Sequence, residues 1–148
     1  MDNRQFDYYQ RLKFKIKKYS EDPEAKENPW FKFILLTPNF FSLLCKLAVE
    51  SSVPIKERVK LASAIAYLMS PSDFLPEEVI GSAGYLDDVA VAAYVLKNAK
   101  EQIPDDVLRS NWNGKEPVKE TIEEIVEKSE EMLGKELWEK IKEKFGNS

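Results

Sequence analysis

Two stretches of this chain carry apolar side chains around nearly the whole helical circumference, and they constrain everything else. After Lys60, the residues running to Met69, and later VAVAAYVL at 89–96, leave no polar face at the 3.6-residue period. A helix without a polar side has nothing to offer water. Both are therefore expected at the centre of the molecule, as an antiparallel hairpin of residues 55–69 against 85–102. Neither spans a bilayer, which needs about 20 apolar residues in a row. The longest apolar stretch, Phe33 to Cys45, is broken by Pro38 and Asn39.

The remaining helices follow from period and punctuation. Asp2 or Asn3 can cap a first helix to about Tyr19, with Phe6, Tyr9, Leu12, Ile16 and Tyr19 on the inward face. Thr37-Pro38 reads as an N-cap with proline at the first helical position. Pro54 starts the next helix in the same way, and Ser70-Pro71 stops it, because a residue before proline is pushed out of the α region. Gly84 is expected to cap the second central helix, placing Asp87 and Asp88 in its first turn. Pro104-Asp105-Asp106 opens a short helix with acids at the positive end of the dipole. From Pro117 the chain is amphipathic again: Val118, Ile122, Ile125, Val126, Ser129, Met132 and Leu133 share one arc, with glutamates opposite. Gly134 bends or ends that helix, and Leu137, Trp138, Ile141 and Phe145 dock a last one.

With only 5 glycines and almost no hairpin signal, the expected fold is all-α: a compact bundle of five to seven helices. The 148 residues suffice for a single domain burying roughly 68–70% of its unfolded surface. Residues 37–102 form its expected core, and the helices at 116–146 are candidates for a looser appendage.

Composition removes most enzymology. The chain has no histidine, hence none of the commonest general base and no Ser/His or Cys/His pair. Its one cysteine, Cys45, sits among Leu44, Leu47 and Ala48 and reads as a core thiol. The opening residues MDNRQFDYYQ are polar and mixed in charge, so a cytoplasmic protein is expected.

The segment between the central helices is the most informative. Asp73, Glu77, Glu78, Asp87 and Asp88 gather around one short connection. One reading is architectural, with each acid bonding loop amides or opposing a helix dipole. The other is a divalent-cation site built from Asp73, Glu77 and one of Asp87 and Asp88, because carboxylates without histidine or thiolate favour Mg²⁺, Mn²⁺ or Ca²⁺. Asp87 and Asp88 point about 100° apart on a helix, so only one of them can face Asp73.

SPSDFLP followed by GYLDD, entering an apolar helix, resembles the signature of the YkvA-like family, a bacterial and archaeal domain of unknown function. The likeness covers about residues 60–97, and Ser70, Pro71, Asp73, Pro76, Gly84, Tyr85, Asp87 and Asp88 occupy the motif positions. Where the family has Asp and a second proline after the Pro76 position, this chain has Glu77 and EEVIGSA, one residue longer. The resemblance implies a small helical domain, membrane-associated in some relatives, and no activity.

Outside that segment, RLKFKIKK at 11–18 interleaves five basic residues with three apolar ones. A solvated face formed by Arg11, Lys15 and Lys18 over a packed stripe is the first reading; weak contact with an anionic membrane is the second. The net charge of −4 and the scarcity of arginine argue against nucleic acid. The glutamates of 116–131 lie opposite the apolar arc and are expected to face water. Trp30, Trp112 and Trp138 read as packing anchors. Abundant lysine and glutamate without histidine form a heat-resistant composition.

The residues thus favour a non-catalytic interaction or regulatory module with a protein partner or self-association and no cofactor. The alternatives are a metal-binding protein or metal-dependent hydrolase using Asp73, Glu77, Asp87 and Asp88, and a peripheral membrane protein.

Overall fold

The computed structural model describes residues 1–70 and 82–146, and all regular structure among them is helical. Eight α-helices follow in order: α1 Asn3–Glu21, α2 Phe31–Ile34, α3 Thr37–Ala48, α4 Ile55–Met69, α5 Ser82–Ala99, α6 Asp105–Ser110, α7 Val118–Leu133 and α8 Lys135–Phe145. Short 3₁₀ turns at Ala25–Glu27 and Lys100–Gln102 link α1 to α2 and extend α5. The count exceeds the expected five to seven partly because α2 is a single turn, too short to show a period.

Local chemistry accounts for the boundaries. Asp2 caps α1 by accepting a hydrogen bond from the Gln5 amide at 2.8 Å, while the Gln5 side chain accepts one from the Asp2 amide, a reciprocal capping box. Thr37 does not cap α3 as expected. It lies within the first turn, and its buried hydroxyl donates to the Ile34 carbonyl at 2.6 Å, stitching α3 to α2. Ser70 is extended after α4, as the following proline requires. Gly134, with φ of +90°, breaks α7 from α8, in a conformation that an L side chain rarely adopts.

The core runs through α3 and α5. Phe40, Phe41, Leu43, Leu44 and Leu47 of α3, and Val89 to Ala93 of α5, are fully enclosed. α3 lies against α1, α4 and α5, while α5 is also covered by α2, α7 and α8. α4 and α5 are antiparallel neighbours: Tyr67 meets Asp87 at one end, and Val59 and Ser63 line a groove with Val95 and Asn98 toward the other. The expectation that both members of this hairpin lie at the centre needs correcting. α5 does, but α4 sits on the flank and packs chiefly on α3, with Ile55 70% and Val59 64% exposed and Ala62, Ser63 and Ala66 open to solvent. Leu61, Ile65 and Leu68 fall within an arc of about 60° and Tyr67 is buried about 100° beyond it, while the side carrying Ile55, Val59, Ala62 and Ala66 faces water.

α7 lies along α5, burying Val118, Ile122 and Ile125. Its acidic side is partly used for docking: Glu123 pairs with Lys97 and Lys100, and Glu124 with Lys32 at 3.2 Å. Trp138 of α8 is buried edge-on to Tyr94, and Tyr67 meets the ring of Phe145 in the same manner.

Candidate functional site

Where α4 ends and α5 begins, tyrosines and acids converge. Because α5 starts at Ser82, Gly84 lies inside it and Asp87 and Asp88 fall in its second turn. The expectations of a Gly84 cap and of dipole-opposing acids in the first turn are both corrected by this earlier start. Asp87 is 0% exposed, and its carboxylate accepts a hydrogen bond from the Tyr67 hydroxyl at 2.9 Å. Asp88 is only half-buried. The two neighbours thus diverge, as adjacent residues on a helix must. The Tyr8 hydroxyl donates to the Leu68 carbonyl at 2.8 Å and fixes α1 to the last turn of α4.

Tyr85, half-buried, meets Tyr19 edge-on with ring centroids 5.9 Å apart. Burial raises the phenol pKa of Tyr85 above its ordinary value, and the negative charge of Asp88 and the neighbouring Tyr19 push it further the same way. Burial likewise raises Tyr19, against a hydrogen bond with Asn28 that lowers it. Both phenols therefore stay protonated at neutral pH.

Of the residues expected at a cation site, Asp87 and Asp88 are placed as above, while Asp73 and Glu77 lie outside the described residues, as do Pro71, Pro76 and Glu78. Among the described residues, no three acids or thiols lie close enough to hold a metal ion. Ser70 closes α4 beside this end.

Two features escaped the reading of the residues. Glu57 is buried in the first turn of α4, with one carboxylate oxygen 3.5 Å from Lys60 and the other without a hydrogen-bond partner among the described residues. A glutamate at this position ordinarily reaches back to the cap residue's amide, but Pro54 has none to give. Its neighbours Lys56, Arg58 and Lys60 suggest a solvated turn, so no sequence signal announced its burial. The second feature is on α1: Leu12 and Ile16 are buried as expected, but Phe6 is 50% exposed. Phe14, 63% exposed, stands among Arg11, Lys15 and Lys18, with the Lys18 ammonium 5.7 Å from its ring centroid.

Cys45 is buried, and burial pushes its thiol up to about 12, which keeps it protonated and unreactive as a nucleophile. Among the described residues, no helix is long and apolar enough to cross a membrane.

Comparison with known proteins finds a family match over the α4–α5 pair. A family model described as a protein of unknown function, DUF1232, matches residues 57–94, from the first turn of α4 well into α5. Over 116 residues, 78% of this chain and 80% of the relative, the chain is 29% identical to the uncharacterized protein ORF9 of Methanothermobacter thermautotrophicus. No solved structure matches.

Proposed function

We propose that this chain is a non-catalytic helical module of the YkvA-like kind, cytoplasmic, acting by contact with a protein partner or with itself. The observation that carries the reading is Asp87. An acid that ligates an ion or moves a proton in a substrate must be reachable, whereas this one is enclosed and bonded across the hairpin to Tyr67. The Tyr67 hydrogen bond to one of its oxygens ties α5 to α4. The absence of histidine supports the same view, since no other side chain has an ordinary pKa poised near neutrality. No cofactor is required.

The purified chain should show no turnover on a panel of phosphoesters with Mg²⁺ or Mn²⁺; reproducible turnover that Asp88→Ala abolishes would end the proposal. Calorimetry with Mg²⁺, Mn²⁺ and Ca²⁺ addresses the competing cation site of Asp73, Glu77 and Asp87 or Asp88. No heat is expected, and heat lost in the Asp88→Ala and Asp87→Asn variants would favour the cation. The Lys/Glu-rich composition supports heat resistance, with a thermal midpoint above about 65 °C.

The exposed Phe14 ring of α1 favours a second reading, attachment to an anionic membrane surface. Phe14 projects beside the face that carries Arg11, Lys15 and Lys18, the pattern of an interfacial helix that inserts a ring between charged headgroups, while Phe6 is exposed on another side of the helix. Salt-sensitive pelleting with anionic vesicles, weakened by Phe14→Ala, is the expected result. Full recovery in the supernatant at low salt excludes it, and a pI near 5.1 stands against nucleic acid as the alternative polyanion.

A further inference from the structure

The outer face of α4 has a pattern that its place in the monomer does not use. Ile55, Val59, Ala62, Ala66 and Met69 recur at alternating intervals of four and three residues, the spacing of a coiled-coil seam. The first four are exposed and Met69 is half-buried. Along this seam Ile55 and Val59 stand in the amino-terminal half, the small Ala62 and Ala66 follow, and Met69 closes it. A shallow groove of about 460 Å³ runs beside the carboxy-terminal half, lined by Ala62, Ile65, Ala66 and Met69 together with Asp2 and Gln5 of the α1 start.

Charge is distributed just as unevenly. Lys56, Arg58 and Lys60 lie in the first two turns, at the positive end of the helix dipole, and the last turn carries no base. Glu57, the one acid of α4, is buried. Within one chain this placement is electrostatically backwards.

We propose that α4 packs against α4 of a second copy, antiparallel across a two-fold axis between Lys60 and Leu61. In that register Ile55 lies opposite Ala66 of the other copy and Val59 opposite Ala62, so each layer sets a large side chain against a small one. Lys56, leaning toward its own amino terminus, reaches the last turn of the opposing helix, where the dipole is negative. The surface complements itself in shape and in charge, as an isologous contact must. This rests on the reading of the chain as an interaction module and names its partner as the chain itself. One helix pair covers less than the roughly 800 Å² per partner of a standard interface, so the dimer should be weak and concentration-dependent.

Sedimentation of the full chain from low to high micromolar concentration should show the mass doubling. Val59→Glu should abolish the doubling while leaving the thermal midpoint unchanged, since Val59 touches water in the monomer. Orientation is read by oxidation. The Ile55→Cys/Ala66→Cys double variant should form disulfide-linked dimers, and Ile55→Cys alone should not, because its two copies lie about 16 Å apart along the axis, beyond the ~7 Å reach of a disulfide. The two introduced thiols of one chain are equally far apart and cannot close on themselves.

A chain monomeric at every concentration overturns the proposal, whether or not its α4 face takes up an acidic helical peptide instead. So do a dimer that survives Val59→Glu, failure of the double variant to cross-link, and cross-linking of Ile55→Cys alone, which would mean parallel pairing. Phosphoester turnover by an intact dimer would remove the non-catalytic reading and leave the pairing standing; an inert monomer would do the reverse.

Discussion

Helices α4 and α5 are both alanine-rich and adjacent, yet α5 has neighbours on every side while α4 gives one of its sides to water. The difference lies in where the large side chains point. On α5, Val89, Val91, Val95 and Leu96 project to opposite sides of the axis, so every direction offers area worth burying, and Ala90, Ala92 and Ala93 let neighbouring backbones come close. On α4, Leu61, Ile65 and Leu68 share one arc, and the alanines opposite lose little by meeting water. Ile55 and Val59 stand on that same open side, so α4 exposes large apolar side chains as well as small ones.

The sharpest way to break this contrast is to make the same change on both helices. Ala92→Asp should abolish folding, because it places an unpaired carboxylate in the core, whereas Ala62→Asp should cost under about 1 kcal/mol, little more than helix propensity. Far-UV circular dichroism and thermal melts of the two variants read the difference. Next in size, Leu96→Ala should destabilise by about 2–5 kcal/mol and Val59→Ala by no more than ~0.5, measured by urea unfolding. A Val59→Ala loss matching that of Leu96→Ala would mean that α4 is covered in the monomer after all.

Tyr67→Phe removes a donor to a buried acid and loosens the seam between the two helices, at about 1–3 kcal/mol. The smallest effect concerns the outer ring of ion pairs. The hydrogen bond from Lys119 and that ammonium's charge hold the Asp105 carboxyl below its ordinary pKa, and the Lys100 hydrogen bond does the same for Glu123. A depressed carboxyl stabilises the fold above its unfolded pKa and loses that contribution as pH falls through the folded one. The thermal midpoint should therefore decline slightly below about pH 4, near the ordinary values of 3.9 for Asp and 4.3 for Glu. Both side chains are exposed, so added salt should flatten the decline.

Much of the fold could be read from the residues because its signals are local. The Asp2 cap, both ends of α4, the acidic first turn of α6 and the break at Gly134 depend on chemistry within a few positions. Non-local information decided the rest. That Thr37 and Ser42 are buried within α3 was not legible, because their hydroxyls are satisfied inside, by Ile34 of α2 and the distant Asn113 respectively. Phe6 and Phe14 could not be assigned to faces by period alone, since each stands beyond the edges of the buried arc of α1. The site is legible in the same uneven way. GYLDD marks Asp87 as notable, but its partner Tyr67 carries no motif and is found only once the hairpin closes. Counting apolar residues also let α4 pass for a second α5, because a count does not say which side of a helix its neighbours leave to water.

The lone thiol of Cys45 gives the molecule an internal clock. Sealed within α3 and held protonated, it can react with an alkylating reagent only when the core opens, so the rate of its labelling in native buffer reports how often that opening occurs. No introduced probe is needed, because every other sulfur in the chain is a methionine's.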